Sequence, residues 1–351
     1  MNEVRVTTVT KELPPYWRDT KDIIPLVELW LSDQEERFRR KVVKMFEGAA
    51  VDRRYSIMRP EEVFTITSFE EKNEVYAREA KKLGKAVLEK ALHQQSWSPE
   101  SLDYIITVSC TGIMIPSLDA YLINDLGLKQ GVVRLPVTEM GCAAGVSGMI
   151  YANNFLRSNP GKRAAVVAVE SPTATFQLND YSMANMVSAA IFGDGAACVL
   201  LSSEENAEGP ALVAGEMYHF KDATHMMGFD LTNLGLKMVL DIAVPDTIAE
   251  HFPSIIHPFL KKNGTSIEEV EHLIFHPGGR KIVQTVEELF GQMDKNIDDT
   301  REVLRQFGNM SSATVLYVLE RFMKKDIQKG EQGLMLSFGP GFSAQRVLLK
   351  W

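Results

Sequence analysis

The stretch SPESLDYIITVS occupies residues 98–109, and a second stretch, SIEEVEHLIFHP, occupies residues 266–277. Each starts with a serine suited to cap a helix, passes through acidic residues that suit a first helical turn, and enters an apolar run suited to a buried strand. A glycine pair follows at matched distance. Cys142 of Gly141-Cys142 lies 44 residues beyond Ser98, and Asn309 of Gly308-Asn309 lies 43 beyond Ser266. Each pair opens an apolar helical pattern, reaching Asn154-Phe155-Leu156 in one case and Arg321-Phe322-Met323 in the other. Matched spacing across strand, helix start and helix is the mark of an internal duplication. The sequence therefore predicts two related halves, 1–210 carrying Cys142 and 211–351 carrying Asn309, with these two residues at equivalent helix starts.

The rest of the chain fits an α/β fold. Short apolar runs at 102–109, 163–171, 195–202, 270–277 and 333–339 read as strands, and amphipathic helical stretches precede several of them. With 351 residues, 45% of them apolar, the chain can bury one large core or two fused ones. The N-terminal residues lack the apolar stretch of a signal peptide, and no run of eighteen apolar residues suggests a membrane span. Three cysteines, with no CxxC, argue against a disulfide framework or a zinc site and for a cytoplasmic chain. A net charge of −8 gives no reason to expect nucleic-acid binding, and an anionic substrate would need a local basic patch.

Free cysteine is among the most buried and usually inert residue types, so Cys142 needs further grounds to count as a nucleophile. Gly141, Ala143, Ala144 and Gly145 leave room for a ligand and for a tight turn. A helix N-terminus stabilises a thiolate. Cys110 and Cys198 lie in strand-like apolar runs, where the inert reading holds. Among seven histidines, His276 stands at the end of an apolar run and before Pro277-Gly278-Gly279, the kind of strand-end loop where ligand-contacting residues gather. Asn309 could simply cap a helix. Opposite Cys142, its amide and the His276 imidazole could instead donate to a thioester oxygen as charge develops there.

The order Cys, His, Asn also occurs in papain-like proteases. His276 lies 134 residues beyond Cys142, inside their expected window of about 130–150. Asn309 lies 167 beyond, however, the sequence context of the protease cysteine is missing, and Cys142 is far from the N-terminus. Gly145–Met149 fails the G-x-S-x-G pattern, Gly193–Cys198 stops short of G-x-G-x-x-G, and no Walker A sequence or HExxH occurs. A purely structural duplicated domain, with Cys142 a core residue, is the non-enzymatic alternative.

MGCAAGVSGM (140–149), FGDGAA (192–197), FHPGG (275–279), GNMSSAT (308–314) and FGPGF (338–342) together resemble the type III polyketide synthases, the chalcone synthase-like family of the thiolase fold. The resemblance runs from about Lys41 to the C-terminus. It implies duplicated halves in a five-layer αβαβα arrangement, a homodimer, and no metal or bound cofactor, since coenzyme A thioesters are substrates. It places the nucleophile at Cys142 and the partner histidine and asparagine at His276 and Asn309. The implied reaction loads a starter acyl group on a Cys142 thiolate paired with protonated His276. Decarboxylative condensation with malonyl-CoA and ring closure to a pyrone or resorcinol then follow.

Further positions come with the resemblance. Phe192 matches a phenylalanine at the junction of CoA tunnel and cavity, and Met238 replaces a second one. Cys110, Glu170, Thr175, Phe229 and Ser311 fall near cavity-lining positions, with Phe229 standing where plant chalcone synthases have glycine. Ile115 matches a residue that reaches into the partner subunit's cavity. Lys41 and Lys44 match basic residues at the CoA phosphates, although solvated helix charges look the same in sequence. A β-ketoacyl-acyl carrier protein synthase of the initiating type is the rival enzyme; it would condense once, taking malonyl from a carrier protein. A fatty-acyl starter is the expectation for the substrate.

Overall fold

The computed structural model describes residues 3–291, 293 and 295–351. Thirteen strands are described: β1 (Arg5–Glu12), β2 (Tyr16–Asp19), β3 (Arg53–Ser56), β4 (Tyr104–Val108), β5 (Val133–Val137), β6 (Arg163–Glu170), β7 (Gly195–Ser202), β8 (Ala211–His219), β9 (Met227–Thr232), β10 (Gly235–Leu240), β11 (His272–Phe275), β12 (Gln332–Gly339) and β13 (Ser343–Lys350). Nine of them form one sheet in the order β11-β12-β13-β8-β1-β7-β6-β4-β5. The five strands expected from sequence are all present, within two residues at each end.

The duplication is visible in the pairing. In the N-terminal half β4 and β6 run parallel, β6 and β7 antiparallel, and β7 and β1 antiparallel. In the C-terminal half β11 and β12, β12 and β13, and β13 and β8 repeat that pattern. The halves meet where Arg5 of β1 pairs with Ala211 of β8.

Side-chain alternation sorts each strand between two cores, because successive residues point to opposite faces. On β6, Ala164, Val166 and Ala168 face one cluster; Ala165, Val167 and Val169 face another. On β12, Met335 joins the first cluster, and Leu334, Leu336 and Phe338 join a third. The shared cluster holds the helices Ala144–Ser158 and Thr314–Phe322 between the two half-sheets. Outside it, Phe69–Gln94 covers the N-terminal half, and Val244–Lys262 with Arg280–Gly291 covers the C-terminal half. These are the five layers αβαβα. Strands buried on both faces explain why 163–170 and 195–202 read as unbroken apolar runs. No described helix is long and apolar enough to cross a membrane.

Two expectations are corrected. The serine-led stretches form single turns, Pro99–Ser101 in 3-10 geometry and a turn after Ser266, rather than helix starts. In both cases only five residues separate the serine from its strand, too few for a helix. The second correction is register. Cys142 is the middle residue of a 3-10 turn, Gly141–Ala143, leading into Ala144–Ser158. The same position before Thr314–Phe322 belongs to Ser312, in the turn Ser311–Ala313. Asn309 lies three residues earlier, because Gly308, at φ +71°, ends the helix Asp298–Phe307 and Asn309 then pairs with Phe192.

Candidate active site

The two turns approach closely because Gly145, the second residue of the helix Ala144–Ser158, has no side chain. A Cβ there would collide with the Ser312 carbonyl oxygen. Gly141, at φ +50°, similarly admits Pro340 of the opposite half. The Ser337 hydroxyl donates to the Cys142 carbonyl at 2.7 Å, which anchors the nucleophile's backbone across the halves.

His276 follows β11 directly and is held by its own N–H, which bonds the Leu336 carbonyl at 3.0 Å. It is 3% exposed, and neither ring nitrogen has a protein partner. Asn309 is fixed more tightly. Its Oδ1 accepts from the Ser311 N–H at 2.8 Å and the Thr314 hydroxyl at 3.3 Å, and its Nδ2 donates to the Gly278 carbonyl at 3.2 Å. These bonds orient the amide and leave one N–H of Nδ2 uncommitted.

Cys142, His276 and Asn309 line one cavity of about 700 Å³, together with Cys110, Phe192, Phe229, Met238 and Ser311. Phe229 and Met238 pair directly across the β9–β10 hairpin and so share a face. Two expected lining residues fall elsewhere. Glu170 is fully buried, its carboxylate accepting from the Cys110 N–H at 3.1 Å and the hydroxyls of Thr111 at 2.8 Å and Ser312 at 2.5 Å. It ties the halves together, as a buried carboxylate must be saturated with donors. Thr175 lines a neighbouring chamber instead, with its hydroxyl turned to the Pro172 carbonyl at 2.8 Å.

A second opening, of about 1330 Å³, adjoins this cavity and shares Ile191, Leu240, Gly278 and Ile282 with it. Lys41 and Lys44 line it, and so do Arg280 and Lys281, which the sequence reading passed over. Their signal was available, since two cations follow Gly278-Gly279 at a helix start. Among the described residues none of these four cations is paired with a carboxylate.

Burial opposes the ion pair expected between Cys142 and His276. Burial pushes the Cys142 thiol up to about 12; the Ser311 hydroxyl opposes this, the Glu170 charge adds to it, and the Asn309 amide opposes it. Burial alone lowers His276 to about 3. Burial thus works against both the thiolate and the imidazolium. A folded-state pKa below the unfolded 6.5 means that the unfolded chain takes up the proton first. Stability present above pH 6.5 is thus lost as pH falls towards 3, at up to about 1.4 kcal/mol per pH unit from this group. Urea unfolding of His276→Asn across that window should show a shallower loss than the unsubstituted chain; an identical slope would contradict the buried neutral imidazole.

The model of the chalcone and stilbene synthase N-terminal domain matches residues 19–205, and that of the C-terminal domain matches 213–351. The chain belongs to the chalcone and stilbene synthase family. A phloroglucinol synthase of Pseudomonas fluorescens is 30% identical over 308 residues, covering 88% of each chain. A 1,3,6,8-tetrahydroxynaphthalene synthase of Streptomyces peucetius is 30% identical over 99% of this chain and 93% of its own. The crystal structure of the 1,3,6,8-tetrahydroxynaphthalene synthase from Streptomyces coelicolor, a bacterial type III polyketide synthase, superposes with a TM-score of 0.93 at 27% identity over 99% of both chains. Membership of the chalcone and stilbene synthase family makes this chain an acyltransferase of the type III polyketide synthase kind. The initiating β-ketoacyl synthase is set aside.

Proposed function

We propose that Cys142 receives a starter acyl group from an acyl-CoA, and that the bound acyl chain is extended by decarboxylative condensation with malonyl-CoA and closed to a pyrone or resorcinol ring. The observation that carries this reading is the meeting of Cys142, His276 and Asn309 in one cavity from two halves of the fold. His276, neutral at rest, takes the Cys142 proton as the sulfur attacks the thioester carbonyl, and the CoA thiolate leaves. The charges thus arise together and need not be stored. Malonyl-CoA then loses carbon dioxide, and the enolate oxygen accepts from the free N–H of Asn309 Nδ2 and from the His276 ring. The enolate carbon attacks the Cys142 thioester and releases the thiolate for another round.

Coenzyme A thioesters are substrates in this scheme, and no bound cofactor or metal takes part. The unpaired cations Lys41, Lys44, Arg280 and Lys281 surround the opening that adjoins the cavity, the local basic patch a chain of charge −8 requires for an anionic substrate. The Arg280 guanidinium also donates to the Gly48 carbonyl at 3.1 Å, spanning the opening's two walls. Arg280→Ala should lower the ratio of kcat/KM for a CoA thioester over its N-acetylcysteamine counterpart about tenfold; an unchanged ratio would remove Arg280 from phosphate binding. A second copy of the chain completes the assembly. Ile115, 92% exposed, stands in the segment after cavity-lining Cys110 and Thr111, and Ile113 and Val133 add exposed apolar surface.

The test is incubation with malonyl-CoA and a set of acyl-CoAs without carrier protein, read by mass spectrometry. Pyrones or resorcinols support the proposal. A single condensation that requires carrier protein would refute it.

A further inference from the structure

Lys41 and Lys44 do not stand alone on their helix. Spacings of three and four place Arg37, Arg40, Lys41 and Lys44 on one exposed face of Glu36–Glu47, while Val42 and Phe46 are buried on the opposite face. These four cations line an outer hollow that joins the rim of the large opening at Lys41 and Lys44. Positive surface therefore continues from Arg280 and Lys281 past the opening and for roughly 10 Å along the helix. The carboxylates that face it are Glu36, which pairs with Arg40 one turn away, and Asp241, whose Oδ1 accepts from the Ala243 N–H at 2.8 Å. Six cations against two carboxylates leave an excess of four positive charges. On a chain of net charge −8, that excess turns this one face towards an anionic surface. The phosphates of a coenzyme A thioester engage the rim of the opening itself, so Arg37 and Arg40 lie beyond what the proposed substrate uses.

Ile242 projects from the same rim. It is 84% exposed, in the turn that follows β10. One exposed isoleucine is ordinary on a protein surface. Beside a basic ridge it completes the pairing that interfacial proteins use, cations for lipid phosphates and an apolar side chain for the layer just beneath them. An acidic protein would answer the cations but would need a pocket to take Ile242 out of water. A bilayer answers both.

We propose that this rim docks on an anionic lipid surface, with the six cations against lipid phosphates and Ile242 at the acyl-chain boundary. Docked so, the opening beside the catalytic cavity faces the bilayer. The docking does not depend on the reaction at Cys142 and is measured without substrate.

The experiment is co-sedimentation of the full chain with sucrose-loaded vesicles of phosphatidylcholine alone or mixed with phosphatidylglycerol. Partition onto the mixed vesicles should exceed that onto neutral ones at least tenfold, and fall steeply as salt rises from about 0.05 to 0.5 M. Arg37→Gln with Arg40→Gln should lower it at least tenfold, at about fivefold per cation, with the unfolding midpoint unchanged because both side chains are exposed. Ile242→Ser should lower it about threefold without changing the salt dependence. Lys324→Gln with Lys325→Gln, beyond the end of Thr314–Phe322 that points away from the cavity, should leave it within about twofold. Equal partition onto neutral and mixed vesicles overturns the proposal. So does partition that survives the loss of Arg37 and Arg40, or that falls as much with the control pair. Binding of an acidic acyl carrier protein without binding of vesicles would overturn it in favour of a protein partner. If vesicles bind and no acyl-CoA labels Cys142, the docking stands and the proposed reaction falls; labelling without vesicle binding does the reverse.

Discussion

Cys142→Ala yields protein that carries no acyl group after incubation with any acyl-CoA and forms extended product on the order of 10³-fold more slowly, or not at all. In the proposed reaction the Cys142 sulfur holds the chain. Cys110 shares the cavity, but its sulfur is engaged with the Ser311 hydroxyl at 3.4 Å and the Glu170 carboxylate at 3.7 Å. Alanine fills nearly the same space in a half-buried position, and stability should move by about 1 kcal/mol or less. Malonyl-CoA decarboxylation should persist in this variant, because the enolate donors His276 and Asn309 remain. Starter labelling of the Cys142→Ala protein, seen by intact mass, would remove the nucleophile assignment.

The second large effect falls on decarboxylation. Asn309→Ala should slow malonyl-CoA decarboxylation by about 10²- to 10³-fold, the usual cost of losing one preorganised donor to a developing oxyanion. His276→Ala should do the same and also slow starter loading, since it removes the acceptor of the Cys142 proton. Asn309→Ala should leave loading much less affected. This asymmetry tests roles rather than mere importance. The double variant should lose less than the product of the two single losses, because both donors serve one oxygen. Radiolabelled carbon dioxide release gives the first rate, and rapid-quench labelling of Cys142 gives the second. Equal effects of the two single variants on both rates would contradict the division of labour.

Much of the fold was legible because strands buried on both faces leave an unmistakable apolar run, as in Gly195–Ser202. The duplication was legible because two copies of one pattern survive in order. Its register was not. Matching glycine pairs set Asn309 opposite Cys142, whereas the chain places Ser312 there and reaches the cavity with Asn309 through a helix-ending Gly308 and a bridge to Phe192. Periodicity cannot report a three-residue offset inside a turn. The charge states were equally hidden, since desolvation depends on how completely the layers close over His276 and Cys142. Lys41 and Lys44 came with the family resemblance, in a pattern that solvated helix charges share; only the fold brings Arg280 and Lys281, more than two hundred residues away, to the same opening. Glu170 was placed near the cavity wall by the family resemblance, and its three donors come from segments that sequence does not place together.

The contact of Gly145 with the Ser312 carbonyl has a consequence for how such a catalyst can diversify. The approach of the Cys142 turn to the Ser311–Ala313 turn is main chain against main chain and involves no side chain of the cavity wall. Phe229 and Met238 line the cavity without taking part in that contact, so they can be exchanged for larger or smaller groups without touching it. New products are thus reachable by altering the mould and leaving the machine tool untouched.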